Sequence, residues 1–103
     1  MLTRKTELVT NCSMLWKFLT ELQNELDNAG ILFAGKPITR YRMAKFMRVA
    51  PNSYLEYINP KKKIKRIPAN AIPALIAELQ KLDPHRFSWP AMGKKLEKHF
   101  IKL

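Results

Sequence analysis

The sequence is poor in the residues that most often carry catalysis or bind metals. Its 103 residues include one cysteine, Cys12, so an internal disulfide is impossible. The two histidines, His85 and His99, do not have the spacing of a metal-ligand pair, and no glycine-rich phosphate loop is present. We therefore expect no enzymatic activity, no cofactor and no metal site.

Long apolar runs are also absent. No stretch approaches the roughly 18 apolar residues that a membrane span needs. Arg4 and Lys5 are not followed by the apolar segment of a secretory signal. A lone cysteine is typical of a reducing compartment, so we predict a cytoplasmic protein without a membrane partner. A hydrophobic content of 47% can fill one modest core, which predicts a single domain over residues 1–103.

Acidic residues are scarce in the middle of the chain. Residues 36–66 contain ten basic side chains and one acid, Glu56, and so account for +9 of the formal net charge of +11. The flanking segments 1–35 and 67–103 carry −1 and +3. So many like charges repel one another unless a polyanion offsets them, and this favours a nucleic acid as the partner over a merely solvated surface.

The spacing of apolar and capping residues predicts an all-α fold of about five short helices. Residues 31–34, between Gly30 and Gly35, form either a brief strand or a packed connection. The five predicted helices run from a cap at Asn11 or Ser13 to about Asn28, from a cap at Thr39 to about Met47, from Pro51 to about Ile58, from a cap at Asn70 to Asp83, and from Ser88–Pro90 to about Phe100.

Residues 39–59 are predicted to form two short helices joined by a tight turn. In a helix-turn-helix the first helix packs across the second, so that the start of the second faces base edges in a DNA groove. This packing needs apolar inner faces. The candidates are Met43, Ala44 and Met47 on the first helix, Val49 in the turn, and Tyr54, Tyr57 and Ile58 on the second.

The same segment resembles the lambda-repressor and Cro (XRE-type) helix-turn-helix superfamily, as a divergent member. The resemblance covers roughly residues 38–82. Three residues depart from the family pattern: Arg48 replaces the turn glycine, Ala50 the usual helix cap, and Pro60 a second glycine. The residues that match are the cap Thr39, the pair Met43-Ala44, Val49, Tyr54, Tyr57, Asn59, Lys61, and the proline-containing helix start at 67–75.

The resemblance implies roles for individual residues. Arg40 matches a phosphate-clamping position at the start of the first helix. Pro51, Asn52, Ser53 and Glu56 match the groove-facing side of the recognition helix, where Asn52 suits adenine and Glu56 a cytosine amino group. Further phosphate contacts are expected on the same face from Arg42, Lys45, Lys61, Lys62, Lys63, Lys65 and Arg66, with Lys36 nearby.

The function implied is sequence-specific binding of double-stranded DNA by a Cro-type transcriptional repressor or regulator, of the kind carried by phages and mobile elements. One recognition helix reads few base pairs, so a homodimer on a palindromic operator is expected. Residues 84–103 contain Phe87, Trp89, Phe100, Ile101 and Leu103. These side chains either form the dimer surface or pack back onto the first helix.

Two other functions remain open at this stage. A helix-turn-helix scaffold can serve as a protein-binding module, as in an antitoxin or a phage-encoded inhibitor. Glu56 and the missing glycines favour that alternative, whereas the charge of the central segment does not. The third possibility is RNA binding, which would use the same positive charge without reading a DNA groove.

Overall fold

A computed structural model describes residues 13–62, 64 and 67–101. In these residues, five helices surround one core, as predicted, but a small sheet is also present, so the expectation of a purely helical fold was wrong. None of the helices described is both long enough and apolar enough to cross a bilayer. In chain order the elements are α1 (Leu15–Asn28), β1 (Leu32–Phe33), β2 (Lys36–Pro37), α2 (Arg40–Met47), α3 (Pro51–Tyr57), α4 (Ala71–Leu82) and α5 (Trp89–Lys98).

The sheet is a two-stranded antiparallel hairpin inserted between α1 and α2. Phe33 pairs with Lys36, and Leu32 pairs with Pro37. The two turn residues, Ala34 and Gly35, have φ values of 52° and 80°. Positive φ at both positions suits a two-residue hairpin, because the twist of such a turn matches that of the strands. Of the two alternatives left open for residues 31–34, the structure therefore has the strand.

The predicted caps of α2 and α5 are confirmed. The hydroxyl of Thr39 accepts a hydrogen bond of 3.2 Å from the backbone N–H of Arg42. The hydroxyl of Ser88 accepts one of 3.4 Å from Ala91. Each bond satisfies an N–H group that would otherwise lack a partner in the first helical turn.

The other two predicted caps were wrong or cannot be assigned. At the start of α1, Met14 occupies the capping position and makes no side-chain hydrogen bond, so Ser13 is not the cap. Asn11 lies outside the described residues. Asn70 does precede α4, but its side chain makes no capping bond. With φ −89° and ψ −5° its backbone is already helix-like, unlike the extended backbone usual at a capping position.

The spacing of apolar residues predicts one apolar stripe on α1 and another on α4, and both lie in the core. Each stripe follows the helical repeat, so that its members lie on one side of the helix. The fully buried members include Leu15, Phe18, Leu19, Leu22 and Leu26 of α1 and Ile72, Leu75, Ile76 and Leu79 of α4.

The segment after α4 packs on α1, which was one of the two arrangements predicted for it. Phe87 and Met92 are buried, and the ring of His99 meets Phe18 edge-on at 5.8 Å between centroids. Arg86 and Lys95 each place a nitrogen 3.1 Å from a carboxylate oxygen of Glu25. Leu103 lies outside the described residues.

The spacing of Met92, Leu96 and Phe100 predicts that all three lie on one apolar side of α5, and for Phe100 this was wrong. Helix α5 ends before this residue, and Phe100 takes a left-handed conformation with φ 59°. The following N–H, from Ile101, donates back to the carbonyl of Leu96 at 2.9 Å. This closing turn rotates Phe100 outward, where it is 64% exposed, and returns Ile101 to the core. Trp89 is also half exposed, so it is not a core residue.

A buried tyrosine connects three parts of the chain. Tyr54 of α3 is 1% exposed, and its hydroxyl donates a 3.0 Å hydrogen bond to the side-chain oxygen of Gln23 on α1. The side-chain nitrogen of Gln23 donates in turn to the carbonyl of Ile38, just before α2. Burial raises the pKa of Tyr54 well above its usual range, and the positive charge of Arg40 only partly offsets this.

Replacing this hydroxyl should cost stability. Tyr54→Phe removes the donor to Gln23 and leaves a half-buried amide oxygen without it, so we expect the free energy of unfolding to fall by about 1 kcal/mol in chemical denaturation. Tyr41→Phe makes the same chemical change on an exposed ring and should stay within about 0.5 kcal/mol of the parent protein.

The same pair of variants gives a second readout. The unfolded tyrosine ionises near pH 10, while the native one resists ionisation, so the unfolded state holds fewer protons above that pH. Stability should therefore fall as pH rises above about 10, and Tyr54→Phe should lose less stability there than Tyr41→Phe. Equal stability of the two variants at neutral pH, with equal alkaline losses, would contradict the role given to Tyr54.

Candidate nucleic-acid interface

Helices α2 and α3 are joined by a connection of three residues, 48–50. Arg48 has φ 61° and ψ 40°, the left-handed conformation that the usual glycine would adopt easily. The N–H of Arg48 donates to the carbonyl of Lys45 at 3.1 Å, and that of Val49 donates to Ala44 at 3.0 Å. These two bonds form a Schellman-type turn, which ends α2 and redirects the chain into α3.

The inner faces of the two helices are buried as predicted. Val49 is half-buried between the helices, and Tyr57 and Ile58 are packed against the edge of the core. The sequence interpretation omitted Phe46, although it stands three residues after Met43. Its ring packs edge-on against Phe33 of the hairpin at 5.3 Å. The fully or almost fully buried residues are Met43, Ala44, Phe46, Met47 and Tyr54.

The outward face of α3 is formed by the residues predicted to read bases. Pro51, Asn52 and Glu56 are exposed, and Ser53 is half-buried. Asn52 and Glu56 are four residues apart, so they are neighbours on one side of the helix, away from the buried Tyr54. Ala50 precedes α3 in an extended conformation without a side-chain cap, and Pro51 is the first helical residue.

The described basic residues of the central segment have no acidic partners. None of the seven that the structure describes lies within 4.0 Å of a carboxylate. Arg42 is half-buried and its guanidinium lies 4.5 Å above the ring of Phe33. The predicted contacts Lys63, Lys65 and Arg66 fall outside the described residues. The seven described are Lys36, Arg40, Arg42, Lys45, Arg48, Lys61 and Lys62.

The two glutamates of α1 are paired with the C-terminal part of the chain instead. Glu21 lies 3.2 Å from His99 and 4.0 Å from Lys98, while Glu25 binds Arg86 and Lys95. The backbone N–H of Arg86 lowers the pKa of Asp83, and its guanidinium adds to that effect. The hydrogen bond to Glu25 is the main cause that raises the pKa of Arg86. The central positive charge is therefore not neutralised from within the described fold.

The sequence-based prediction of this surface did not include three exposed residues near it. Arg48 was considered only as a replacement for glycine, yet it is an exposed cation between the two helices. Tyr41 is 54% exposed, with the Lys45 nitrogen 5.4 Å from the centre of its ring. Leu55 is 46% exposed on α3. The signal for Tyr41 and Leu55 was their position outside the helical repeat of the buried residues.

Comparison with known proteins finds no match. No protein-family model, curated protein or solved structure is similar enough to this chain to be counted as a relative. Within the described residues, no group of three or more histidine, cysteine, aspartate or glutamate side chains is placed to hold a metal ion.

The turn at Arg48 generates a stability prediction. A non-glycine residue in the left-handed region is strained by roughly 1–2 kcal/mol, and glycine gives back part of this through its freer unfolded chain. Arg48→Gly should therefore raise the free energy of unfolding by about 0.5–1 kcal/mol. Arg48→Ala removes the same guanidinium but keeps the strain, and it should change stability little. Equal unfolding free energies for the two variants would contradict this prediction, because the relief of strain would then be no larger than the entropic cost of glycine.

Proposed function

We propose that this protein binds double-stranded DNA in a sequence-specific manner, as a Cro-type transcriptional repressor or regulator. The observation that carries the proposal is the surface of seven unpaired basic residues around α2 and α3, with Glu56 as the only acid between residues 36 and 66. Polyphosphate is the partner that such a surface fits best, because each neutralised phosphate releases a condensed counterion.

The proposed DNA contacts fall into two groups, those to backbone phosphates and those to bases. Arg40, Lys45, Lys61 and Lys62 are exposed cations that suit backbone phosphates, which position the protein without reading sequence. The outward face of α3 carries the groups that discriminate bases. An Asn52 amide can pair with adenine, and a Glu56 carboxylate can accept a hydrogen bond from a cytosine amino group.

A dimer on a palindromic site completes the proposal. Helix α3 has only seven residues, too few to read more than a handful of base pairs. The exposed Trp89 and Phe100 of the C-terminal part are apolar surface suited to a second copy of the chain. Such two-fold symmetry in the protein would be mirrored by symmetry in the operator.

A protein-binding function is the second candidate, and the exposure of Leu55 favours it. Leu55 is 46% exposed on α3, and an exposed apolar side chain on a helix suits a partner that binds the helix in an apolar groove. The unneutralised charge of the same region argues for DNA, because protein interfaces are depleted of lysine.

Selection from a random duplex pool tests the function directly. We expect a palindromic sequence to be recovered, with two half-sites about one helical turn apart. Affinity for that sequence should fall steeply with salt, with a slope of log affinity against log salt of about −4 to −8, because several phosphates are contacted. A pool that shows no enrichment, together with a flat salt dependence, would refute DNA binding.

The division of contacts is tested by two alanine variants measured on the selected site and on an unrelated duplex. Arg40→Ala should weaken binding to both duplexes by a similar factor, since a phosphate contact carries no base information. Asn52→Ala should weaken binding chiefly to the selected site, by roughly 5–100-fold for one lost base pairing. Lys17→Ala, an exposed cation on α1, is the control for loss of charge alone. Uniform loss from all three variants would contradict the assignments.

A further inference from the structure

A cavity of about 510 Å³ lies between the hairpin and the start of α2. Its volume is within the range of sites that hold small ligands or parts of larger ones. Neither the hairpin nor this cavity belongs to the groove-facing surface of α3. The residues that line it are Phe33, Ala34, Lys36, Pro37, Thr39 and Arg42.

The lining combines an apolar floor with positive charge. Phe33, Ala34 and Pro37 supply the apolar surface, while Lys36 and Arg42 are the charged members among the described lining residues. Neither cation has an acidic partner within 4.0 Å. An anion in this cavity would meet two cations and no competing carboxylate.

Arg42 is held in place before any ligand arrives. Its guanidinium lies 4.5 Å above the ring of Phe33, and that ring is itself packed edge-on against Phe46 at 5.3 Å. The backbone N–H of Arg42 is bound to the hydroxyl of Thr39. A guanidinium stacked in this way presents a planar fork of N–H donors, which matches two oxygens of one phosphate at low entropic cost.

A second cavity lacks the unpaired positive charge of the first. It has about 440 Å³ and lies along α1, where Glu21, Glu25 and Arg86 are among its lining residues. Its one arginine is already bound to Glu25 at 3.1 Å, so it has no free cation for an anionic ligand. Of these two cavities, the one beside the hairpin is therefore the one that favours a ligand with phosphate chemistry.

We propose that the cavity between the hairpin and α2 binds a phosphate group, with Arg42 as the oriented fork and Lys36 as the second charge. The assignment of that phosphate to the backbone of duplex DNA rests on the proposed function. On that basis the hairpin is an additional contact, which engages the duplex outside the base pairs that α3 reads. A free phosphate or nucleotide has the same chemistry, so the experiment separates these sources.

The first experiment measures binding to the selected duplex and compares Lys36→Gln with Lys17→Gln. The control, Lys17→Gln, also removes one exposed positive charge, but Lys17 does not line the cavity. On the selected duplex, Lys36→Gln should lower affinity by roughly 3–10-fold and make the salt slope shallower by about 1, because one phosphate contact is lost. It should also abolish one site of phosphate-ethylation interference at the edge of the footprint. Lys17→Gln should keep the complete interference pattern.

Phe33→Leu tests whether the stacking of Arg42 matters. This variant keeps an apolar side chain and both charges but removes the aromatic ring under Arg42. Its affinity for the duplex should therefore fall by roughly 2–5-fold, and the same interference site should be lost. Unfolding measurements verify that it remains folded. If Phe33→Leu is unfolded, the phosphate contact is tested by Lys36→Gln alone. The side chain of Lys36 is exposed and has no role in the core.

The solution arm titrates the protein with inorganic phosphate, and with acetate at matched ionic strength, while backbone amides of residues 33–42 are followed by NMR. We expect phosphate to shift these amides in the parent protein and in Lys17→Gln, and to shift them much less in Lys36→Gln. Equal shifts with acetate would show unselective attraction of anions and would overturn the phosphate assignment.

The outcomes separate this inference from the proposed function. If the parent protein binds the duplex but Lys36→Gln and Lys17→Gln keep the same slope and interference pattern, the cavity does not hold a DNA phosphate and this inference fails alone. If the parent protein binds no duplex, the proposed function fails. The cavity then stands as a site for free phosphate only if phosphate shifts the hairpin amides selectively, and it is rejected if it does not.

Discussion

The placement of Tyr54 is the constraint on which the candidate interface depends. This side chain is buried in the core, and its hydroxyl reaches Gln23 on α1, which in turn donates to the carbonyl of Ile38 before α2. One residue of α3 thereby sets the position of its own helix against both earlier ones. Because Tyr54 points inward, Asn52 and Glu56 must point outward on the opposite side of the short helix. The orientation of the outward face is therefore a consequence of core packing, whatever ligand that face serves.

The two glutamates of α1 pair with basic residues near the C-terminal end of the chain, and this pairing determines where positive charge is left unpaired. Glu21 and Glu25 of α1 are bound by basic side chains from the segment after α4, so they are not available to the central basic residues. The described part of the fold thus keeps its positive surface unneutralised, although the repulsion within that surface destabilises the compact state. Within the described residues, the fold itself supplies no counterion for this surface.

Much of the helical framework could be predicted from the sequence, because long apolar repeats and the caps Thr39 and Ser88 are local signals. The hairpin could not be assigned, since two-residue strands are too short to show a period and the turn Ala34-Gly35 lacks the usual asparagine or aspartate. The inner faces of α2 and α3 were predicted from the packing that a helix-turn-helix requires. The stacking of Arg42 on Phe33 was not, because it depends on where the hairpin lies in three dimensions. The outward turn of Phe100 was missed because a left-handed closing residue is normally glycine.

Ionic strength should act differently on the ion pairs of α1 and on the unpaired basic residues around α2 and α3. Added salt weakens the contacts of Arg86, Lys95 and Lys98 with α1, because exposed ion pairs are screened within a Debye length of about 10 Å at 0.1 M. The same salt relieves the mutual repulsion of the cations around α2 and α3. The two groups of charges thus respond to electrolyte in opposite directions, so their effects on the free energy of unfolding partly offset each other.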